Sequence, residues 1–232
     1  MRVKAIVLSA GRGSRMGQSV PKQYLEVLGK PILAYSLGIF QAFDPVDEII
    51  LVTGEGDEEW CRDNIVRPYG ITKAEKIIAG GKERYDSVYA GLLESGCEDT
   101  DYVMIHDGAR PMIDGPLLER GLAAARERGA AVSAMPVKDT IRICDDQLRS
   151  VSVPDRRHLW MMQTPQTFLF QPLLRAFQEM YRRGETDGIT DDAMVLERFG
   201  GIRAVMAEGS YRNMKITTPE DLVWMEAMLS TS

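Results

Sequence analysis

The sequence has few of the residues that form disulfide bridges or bind transition metals. Its 232 residues include three cysteines and two histidines. Cys61, Cys97 and Cys144 are odd in number and far apart, which argues against a disulfide framework and favours a reducing compartment. No set of cysteines and histidines stands at zinc-ligand spacing. A chain of this length buries roughly 70% of its unfolded surface, so it needs neither disulfide bridges nor a bound metal to fold.

Long hydrophobic runs are also absent, and the net charge is of the wrong sign for a generic nucleic-acid-binding protein. No uninterrupted apolar run exceeds four residues, which excludes a transmembrane helix. The apolar stretch within residues 3–8 is too short for the hydrophobic part of a signal peptide. The net charge of -6 disfavours a basic patch for nucleic acid. We therefore expect a cytoplasmic protein with no membrane and no nucleic-acid partner.

Acidic residues are missing from residues 1–25, although the protein as a whole is acidic. This segment contains Arg2, Lys4, Arg12, Arg15 and Lys22. Five positive charges gathered at the start of an acidic protein indicate a local anion site. Small, highly charged ligands are the natural candidates for such a site.

Short apolar runs alternate with segments of helical periodicity. The runs at residues 3–8, 48–52 and 102–105 are typical of parallel strands that are covered on both faces. One helix follows Pro31, which we place at its first position. Further helical patterns lie at residues 84–94, 116–128, 171–183, 191–199 and 219–229, with one more strand predicted at residues 202–207. This alternation predicts an α/β fold with doubly wound layers.

The alternation breaks after Pro136. Residues 138–157 are mostly polar, and we predict a two-stranded excursion that turns at residues 145–147. Such an excursion leaves the main layers as an arm that is able to pack on a partner. No repeat, low-complexity tract or linker interrupts the chain. We therefore predict one domain over residues 1–232, with a dimerisation arm at about residues 138–157.

A glycine-rich loop, SAGRGSRM at residues 9–16, follows the first strand. Gly11 and Gly13 permit close approach of a ligand to the backbone, and successive N–H groups can form an anion nest. The loop lacks the Lys-Ser/Thr ending of a Walker A motif, and Met16 stands where a dinucleotide fingerprint needs its third glycine. With its two arginines and the nearby Lys22 the loop suits a triphosphate. Without a ligand it would be a plain tight turn.

The segment HDGARP, residues 106–111, stands at the carboxyl end of the third predicted strand. Ligands of open parallel sheets bind outside the carboxyl ends of the strands. Asp107 is therefore placed to bind Mg²⁺, which commonly uses one or two carboxylates together with substrate phosphates. Two alternatives stay open here. Asp107 could cap a turn and bind nothing, and Arg110 could form a purely structural pair with a carboxylate. No acid–base task requires His106, so a structural role is favoured for it.

The remaining motifs are less specific. GGKERYDS at residues 80–87 either offers backbone groups to a base or ribose, or is simply a loop that starts a helix. Arg156 and Lys215 supply cations, and Thr164 and Thr190 supply hydroxyl groups. Thr190 precedes two acidic residues, so it is equally a helix N-cap.

Taken in order, these motifs resemble those of one enzyme family. The set is GRGSRM, PKQY, GGKERYDS, HDGARP, PVKDTIR, LWMMQTPQ, TDD and NMKIT. It resembles the 2-C-methyl-D-erythritol 4-phosphate cytidylyltransferase family over residues 3–229. The first motif marks only the broader sugar-nucleotidyltransferase superfamily, whereas HDGARP with KDT and QTPQ is far more specific. Ser9 stands where many members carry alanine, and we expect no functional consequence.

The resemblance implies a Rossmann-like three-layer sandwich with a mostly parallel central sheet. It also implies a protruding β-arm through which two chains form a homodimer. The implied enzyme uses Mg²⁺ to join CTP to methylerythritol phosphate and releases pyrophosphate, in non-mevalonate isoprenoid synthesis.

The family's functional residues carry over position by position. The catalytic cations that bind the triphosphate would be Arg15 and Lys22. The cytidine and phosphates would be held by Ala10, Gly11, Gly13, Gly81 and Ser87, and the metal by Asp107. The acceptor would be surrounded by Thr140, Arg156, Thr164, Thr190 and Lys215. Thr140 and Arg156 lie on or beside the arm, so the partner subunit would supply them.

The expected reaction needs no general base. A phosphate monoester has a second pKa of about 6, so it is already largely a dianion near pH 7. The difficulty is to bring two anions together, which cations and N–H groups achieve by positioning and electrostatics. Arg, Lys and Mg²⁺ are therefore the groups expected in the site, rather than His or Cys.

Three alternative functions stay open at this point. A ribitol 5-phosphate cytidylyltransferase shares the chemistry but usually has valine where Ala109 stands. An NAD-dependent oxidoreductase is disfavoured by Met16. A non-catalytic nucleotide-sensing module would bind CTP without releasing pyrophosphate.

Overall fold

The computed structural model describes residues 1–11 and 21–231. Its strands are β1 (Val3–Ser9), β2 (Glu26–Val27), β3 (Lys30–Pro31), β4 (Glu48–Thr53), β5 (Lys76–Ala79), β6 (Tyr102–Asp107), β7 (Ala130–Pro136), β8 (Ile143–Cys144), β9 (Ser150–Ser152), β10 (Trp160–Leu169) and β11 (Val205–Glu208). Its helices are α1 (Ile32–Ala42), α2 (Glu58–Cys61), α3 (Arg84–Glu94), α4 (Gly115–Arg128), α5 (Phe170–Arg183), α6 (Asp192–Gly200) and α7 (Pro219–Ser230). No helix in the described ranges has the length and apolarity needed to cross a bilayer.

Seven strands form the central sheet, in the order β11-β7-β10-β6-β1-β4-β5. β1 pairs parallel with β4 and β6, β4 with β5, and β11 with β7. β10 runs antiparallel to both of its neighbours, β6 and β7. The mostly parallel sheet expected from the sequence is therefore confirmed, with one reversed strand in its middle.

Alternate residues of the central strands supply two separate hydrophobic cores. Ala5 and Val7 of β1 pack with Leu33 and Phe40 of α1 and with residues of α4 on one face. Ile6 of β1 packs on the opposite face with residues of α3, α5 and α6. Because neighbouring side chains of a strand point to opposite faces, one strand serves both cores. Helices on both faces of one sheet make the predicted three-layer sandwich.

The arm predicted after β7 is a β-hairpin that forms a small sheet of its own. β8 and β9 pair antiparallel. The turn between them is closed by the N–H of Leu148, which donates to the carbonyl oxygen of Asp145 at 2.9 Å. The hairpin's apolar side chains are largely exposed in this chain, and they are those of Ile143, Leu148, Val151 and Val153.

Several element boundaries differ from those that the sequence predicts. Pro31 ends β3 and precedes α1 as its N-cap residue, so its placement at the first helical position is wrong. Thr190 is not an N-cap, because Asp191 caps α6 by accepting a hydrogen bond from the N–H of Met194. β6 continues to Asp107, so the HDGARP motif begins inside the strand and not after it. β5, β7 and β10 are strands that the sequence patterns did not indicate.

Helix α3 lies unusually close to the sheet at Gly91. A Cβ atom there would lie 2.6 Å from Cγ2 of Ile6 and 3.4 Å from Cγ2 of Val52. We expect Gly91→Ala to lower the free energy of unfolding by about 1–3 kcal/mol, because overpacking outweighs the helix propensity that alanine gains. Urea unfolding measures the change.

Gly38→Ala is the matched control for this substitution. Gly38 also lies in a helix, but a Cβ atom there would meet only the Nζ atom of Lys30, at 3.7 Å. The control is expected to be neutral or to stabilise by up to about 1 kcal/mol. Equal effects of the two substitutions would contradict the packing argument.

Candidate functional site

A cleft opens at the carboxyl ends of β1 and β6, beside the N-terminus of α3. Ligands of parallel sheets bind at this edge. Seven of the site residues expected from the sequence line it, namely Ala10, Gly11, Lys22, Gly81, Ser87, Asp107 and Lys215. The structure therefore brings together residues that lie up to 205 positions apart in the chain.

The Asp107 carboxylate is nearly buried and is surrounded by cations. Its Oδ2 accepts a hydrogen bond from Nζ of Lys215 at 2.8 Å, and its Oδ1 accepts one from Nε of Arg84 at 3.1 Å. Nε of Arg110 lies 3.6 Å from Oδ2. Burial alone would raise the pKa of Asp107, but attraction from these three cations outweighs burial and holds the pKa well below its ordinary value. Asp107 is therefore ionised. Arg110 forms an ion pair with it, which agrees with the alternative that Arg110 pairs with a carboxylate.

Arg84 ties Asp107 to the start of α6. Its two terminal nitrogens donate to the two carboxylate oxygens of Asp192 at 2.8 and 2.9 Å. The Asp192 N–H in turn donates to Oε1 of Gln166 at 3.1 Å, and Nε2 of Gln166 donates to Oδ2 of Asp191 at 3.0 Å. Bidentate pairing fixes the orientation of a guanidinium. Arg84 is thus held rigidly where it lines the cleft.

His106 lies under the cleft rather than in it. The imidazole is fully buried, and burial lowers its pKa to about 4, so the ring is neutral near pH 7. Nε2 lies 3.1 Å from the carbonyl oxygen of Arg110, which can only accept, so this nitrogen is assigned the proton. The Thr164 hydroxyl then donates to Nδ1 at 3.0 Å and accepts from the N–H of Asp107 at 3.0 Å. The ring supports the backbone around Asp107.

Two glycines let the remaining walls of the cleft approach closely. A Cβ atom on Gly80 would lie 2.6 Å from Cβ of Ala10, and one on Gly81 would lie 2.2 Å from Cβ of Asp86. The Gly81 N–H donates to Oγ of Ser87 at 3.1 Å. On the other wall, Nε2 of Gln23 donates to the carbonyl oxygens of Ser9 and Gly11 at 2.6 and 3.0 Å. The glycine loop is thus fixed at its near end.

Some residues expected in the site lie elsewhere or are not described. Arg12, Gly13 and Arg15 lie outside the described residues. Thr140 and Arg156 are exposed at the base of the arm, where Arg156 donates to the carbonyl oxygen of Lys138 at 2.7 Å. Thr190 is exposed just before α6, and Thr164 is buried with its hydroxyl bonded as above. None of these described residues lines the cleft of this chain.

Arg84, Gln23 and Asp192 belong to the site but were not among the residues that the sequence indicated. Each lies inside a quoted motif, GGKERYDS, PKQY or TDD. The signal that could have found Arg84 and Asp192 is a charged residue at the first position of each of two helices. Their pairing joins residues 108 positions apart, so it is visible only in the fold.

The fold and the cationic cleft are typical of α/β enzymes that bind phosphorylated substrates. The family model described as 2-C-methyl-D-erythritol 4-phosphate cytidylyltransferase matches residues 3–231. The chain belongs to this family and is therefore a nucleotidyltransferase.

Curated relatives and solved structures agree with this assignment. A 2-C-methyl-D-erythritol 4-phosphate cytidylyltransferase from Alkaliphilus oremlandii is 43% identical over 99% of this chain and 96% of its own length. One from Lachnospira eligens is 44% identical over 94% of this chain and 95% of its own. The crystal structure of 4-diphosphocytidyl-2C-methyl-D-erythritol synthase from Anaerococcus prevotii matches with a TM-score of 0.84 at 29% identity, covering 99% and 96% of the two chains. A cytidylyltransferase structure from Thermus thermophilus matches with a TM-score of 0.79 at 31% identity, covering 99% and 100%.

The depressed pKa of Asp107 makes its contribution to stability dependent on pH. An ionised carboxylate with a lowered pKa stabilises the fold above the unfolded-state pKa of about 4, and this stabilisation is lost as the pH falls further. We expect Asp107→Asn to lower the free energy of unfolding by about 3 kcal/mol near pH 7, because it leaves the paired cations without their anion. The difference from the wild type should shrink below about pH 4.

Urea unfolding across this pH range measures the difference. Asp44→Asn is the control, since Asp44 is an exposed aspartate between α1 and β4. A deficit of Asp107→Asn that stays constant down to about pH 3 would contradict the ion-pair argument.

Proposed function

We propose that this chain transfers CMP from CTP to 2-C-methyl-D-erythritol 4-phosphate. The products are 4-diphosphocytidyl-2-C-methyl-D-erythritol and pyrophosphate, and the reaction serves non-mevalonate isoprenoid biosynthesis. The three unpaired cysteines favour a reducing compartment. The enzyme is therefore proposed to act in the cytoplasm.

The observation that carries the proposal is the charge of the cleft. Among the described residues, its lining has four cations against two carboxylates, namely Lys22, Lys82, Arg84 and Lys215 against Glu83 and Asp107. The same lining contains no histidine or cysteine. A cationic cleft without a proton-transfer group suits the joining of two phosphorylated substrates by positioning and electrostatics.

CTP is proposed to lie between the glycine loop and the start of α3. Ala10 and Gly11 line the cleft together with Gly81 and Ser87. Lys22 also lines the cleft, and its Nζ donates to the carbonyl oxygen of Ile216 at 2.6 Å. Arg15 would add a second cation for the triphosphate. The base and the ribose of CTP would then lie against the glycine-lined wall of the cleft.

The residues of the cleft fit a magnesium ion that is held largely by the nucleotide. Among residues 1–11 and 21–231 there is no group of three carboxylate, imidazole or thiol ligands. Asp107 supplies one ionised carboxylate, and Mg²⁺ commonly combines one or two carboxylates with substrate phosphates and water. Asp107 would hold the ion, which would neutralise charge on the phosphates when bound.

The phosphate of the acceptor needs a cationic binding site of its own in this reaction. An oxygen of its phosphate forms a bond to the α-phosphorus of CTP, while the bond from that phosphorus to the bridging oxygen breaks. The electron pair leaves with pyrophosphate. Lys215 is proposed to bind the acceptor's phosphate, and its side chain is 38% exposed at the cleft. Thr164 and Thr190 are proposed to lie near the acceptor as well.

Thr140 and Arg156 are proposed to reach the acceptor from a second copy of the chain. Both lie on the arm, whose hairpin exposes 85% of Leu148 and 66% of Val151. Apolar side chains exposed together in one hairpin are typical of an interaction surface. A homodimer built through residues 138–157 would cover them and complete the acceptor pocket.

Pyrophosphate release with CTP and a panel of polyol phosphates tests the reaction. We expect turnover with methylerythritol phosphate and a kcat/KM at least about 100-fold lower with ribitol 5-phosphate, because a pocket built for one polyol rejects another through unpaired hydroxyl groups. Preference for ribitol 5-phosphate would contradict the proposed acceptor. CTP binding without turnover of any acceptor would contradict catalysis.

The neutral, buried His106 gives a direct test of the mechanism. We expect His106→Gln to keep activity within about 10-fold of the wild type, because the attacking phosphate carries its own charge and needs no base. Steady-state kinetics on the folded variant measure this. A loss of 10²–10⁴, the effect of a missing general base, would show that the mechanism is wrong.

A shared site can be tested by mixing two inactive variants. Lys22→Ala removes a cation from one chain's cleft, and Arg156→Ala removes one from the arm. After subunit exchange we expect about a quarter of the wild-type activity, because half of the dimers are mixed and each holds one intact site. No recovery, with exchange shown by mass measurement of tagged chains, would place both residues in one chain's site.

A further inference from the structure

The segment that carries Lys215 has no regular secondary structure of its own. We call residues 209–218, between β11 and α7, the Lys215 loop. A loop of this kind is held in place only by the contacts that its backbone and side chains make. Where Lys215 points therefore depends on what fastens this loop to the sheet.

Gln163 fastens the beginning of the loop with both ends of its amide. Its Oε1 accepts a hydrogen bond from the N–H of Ser210 at 3.2 Å, and its Nε2 donates to the Ser210 carbonyl oxygen at 2.7 Å. Gln163 lies where the register of β10 against β7 shifts, between Met162 and Gln166. The side chain thus continues the hydrogen bonding of the sheet onto the loop.

Asn213 fastens the middle of the loop. It is fully buried, and its Nδ2 donates to the carbonyl oxygen of Thr164 at 2.8 Å and to Oε1 of Gln163 at 3.3 Å. Nη1 of Arg110 donates to the carbonyl oxygen of Asn213 at 3.0 Å. The next anchor is the N–H of Ile216, which donates to the carbonyl oxygen of Ala109 at 2.9 Å. Lys215 lies between these two anchors.

The fit around the two amides is close and is not optimised for stability. A Cβ atom on Gly209 would lie 2.3 Å from Oε1 of Gln163. Oδ1 of Asn213 is buried without a hydrogen-bond partner among the described residues. An unsatisfied buried acceptor costs about 1–3 kcal/mol. The position that Asn213 imposes on the loop therefore explains this side chain better than the stability it adds.

We propose that Gln163 and Asn213 are positioning residues of the reaction, which act through Lys215 by holding its loop against β10. The inference rests on the proposed role of Lys215 toward the acceptor. The sequence indicated the QTPQ segment because Thr164 supplies a hydroxyl group. In this proposal the amide of Gln163, the first residue of that segment, positions the loop.

Gln163→Met tests the proposal, since methionine is of similar size but forms neither hydrogen bond. We expect the KM for the acceptor to rise about 10-fold, because a small displacement of a binding group has a large kinetic effect. The KM for CTP should stay within about twofold, because CTP is bound by other residues. Equal changes in both KM values, or no change, would overturn the proposal.

Gln41→Met is the matched control. Gln41 also fastens a loop with both ends of its amide, by accepting from the N–H of Lys73 at 2.9 Å and donating to Oγ1 of Thr72 at 3.0 Å. That loop supplies no lining of the cleft. The control should leave both KM values unchanged, and a rise in acceptor KM there would overturn the proposal by showing a general effect.

A double-mutant cycle tests whether Gln163 acts through Lys215. In a Lys215→Ala background, Gln163→Met should change the acceptor KM by less than about twofold, because the group that it positions is gone. An undiminished effect in that background would overturn the proposal. If Lys215→Ala alone leaves the acceptor KM unchanged, the proposed role of Lys215 fails instead, which separates the two failures.

Hydrogen exchange gives a readout that does not depend on turnover. Gln163→Met should speed amide exchange in residues 209–218 and leave β1 and β4 protected. Asn213→Ala is expected to behave in the same way and replaces Gln163→Met if that variant does not fold. Unchanged exchange in the Lys215 loop would overturn the proposal.

Discussion

The buried carboxylate of Asp107 is the constraint on which the cleft depends. A carboxylate can be buried only if cations and hydrogen-bond donors replace its water. The cations come from three parts of the chain, with Arg84 at the start of α3, Arg110 just after β6 and Lys215 in its loop. Because each must reach the same two oxygen atoms, this single charge fixes the relative positions of a strand, a helix and a loop.

The same arrangement explains how an acidic protein presents an anion site. The whole chain has a net charge of -6, yet the described lining of the cleft holds more cations than carboxylates. Asp107 and Asp192 keep Arg84 in place, and each such pair holds a cation at the cleft in a fixed geometry. Cations that are already oriented need little rearrangement when a phosphate arrives. This is the property that a reaction between two anions requires.

The sequence predicted the layers and the charged residues better than the supporting ones. Continuous apolar runs identified β1, β4 and β6, and the glycine motifs identified the walls of the cleft. β10 was missed because Pro165 and two glutamines interrupt it, which is unusual inside a sheet. Thr164 carries a hydroxyl of the kind that binds substrates, but in the fold it bonds to His106 and to the backbone of Asp107. Such partners are remote in sequence, so no local pattern reveals them.

β10 shows why the missed residues matter. Within four positions it holds three parts of the site, because Gln163 bonds to the Lys215 loop, Thr164 to the backbone of Asp107 and Gln166 to the start of α6. It can do so because it lies in the middle of the sheet, next to β6, with its polar segment at the edge where the parallel strands end. The charged residues supply the attraction for phosphates, and uncharged amides and a hydroxyl set where those charges lie. Substitutions in this segment should therefore change the geometry of the site while its charge stays the same.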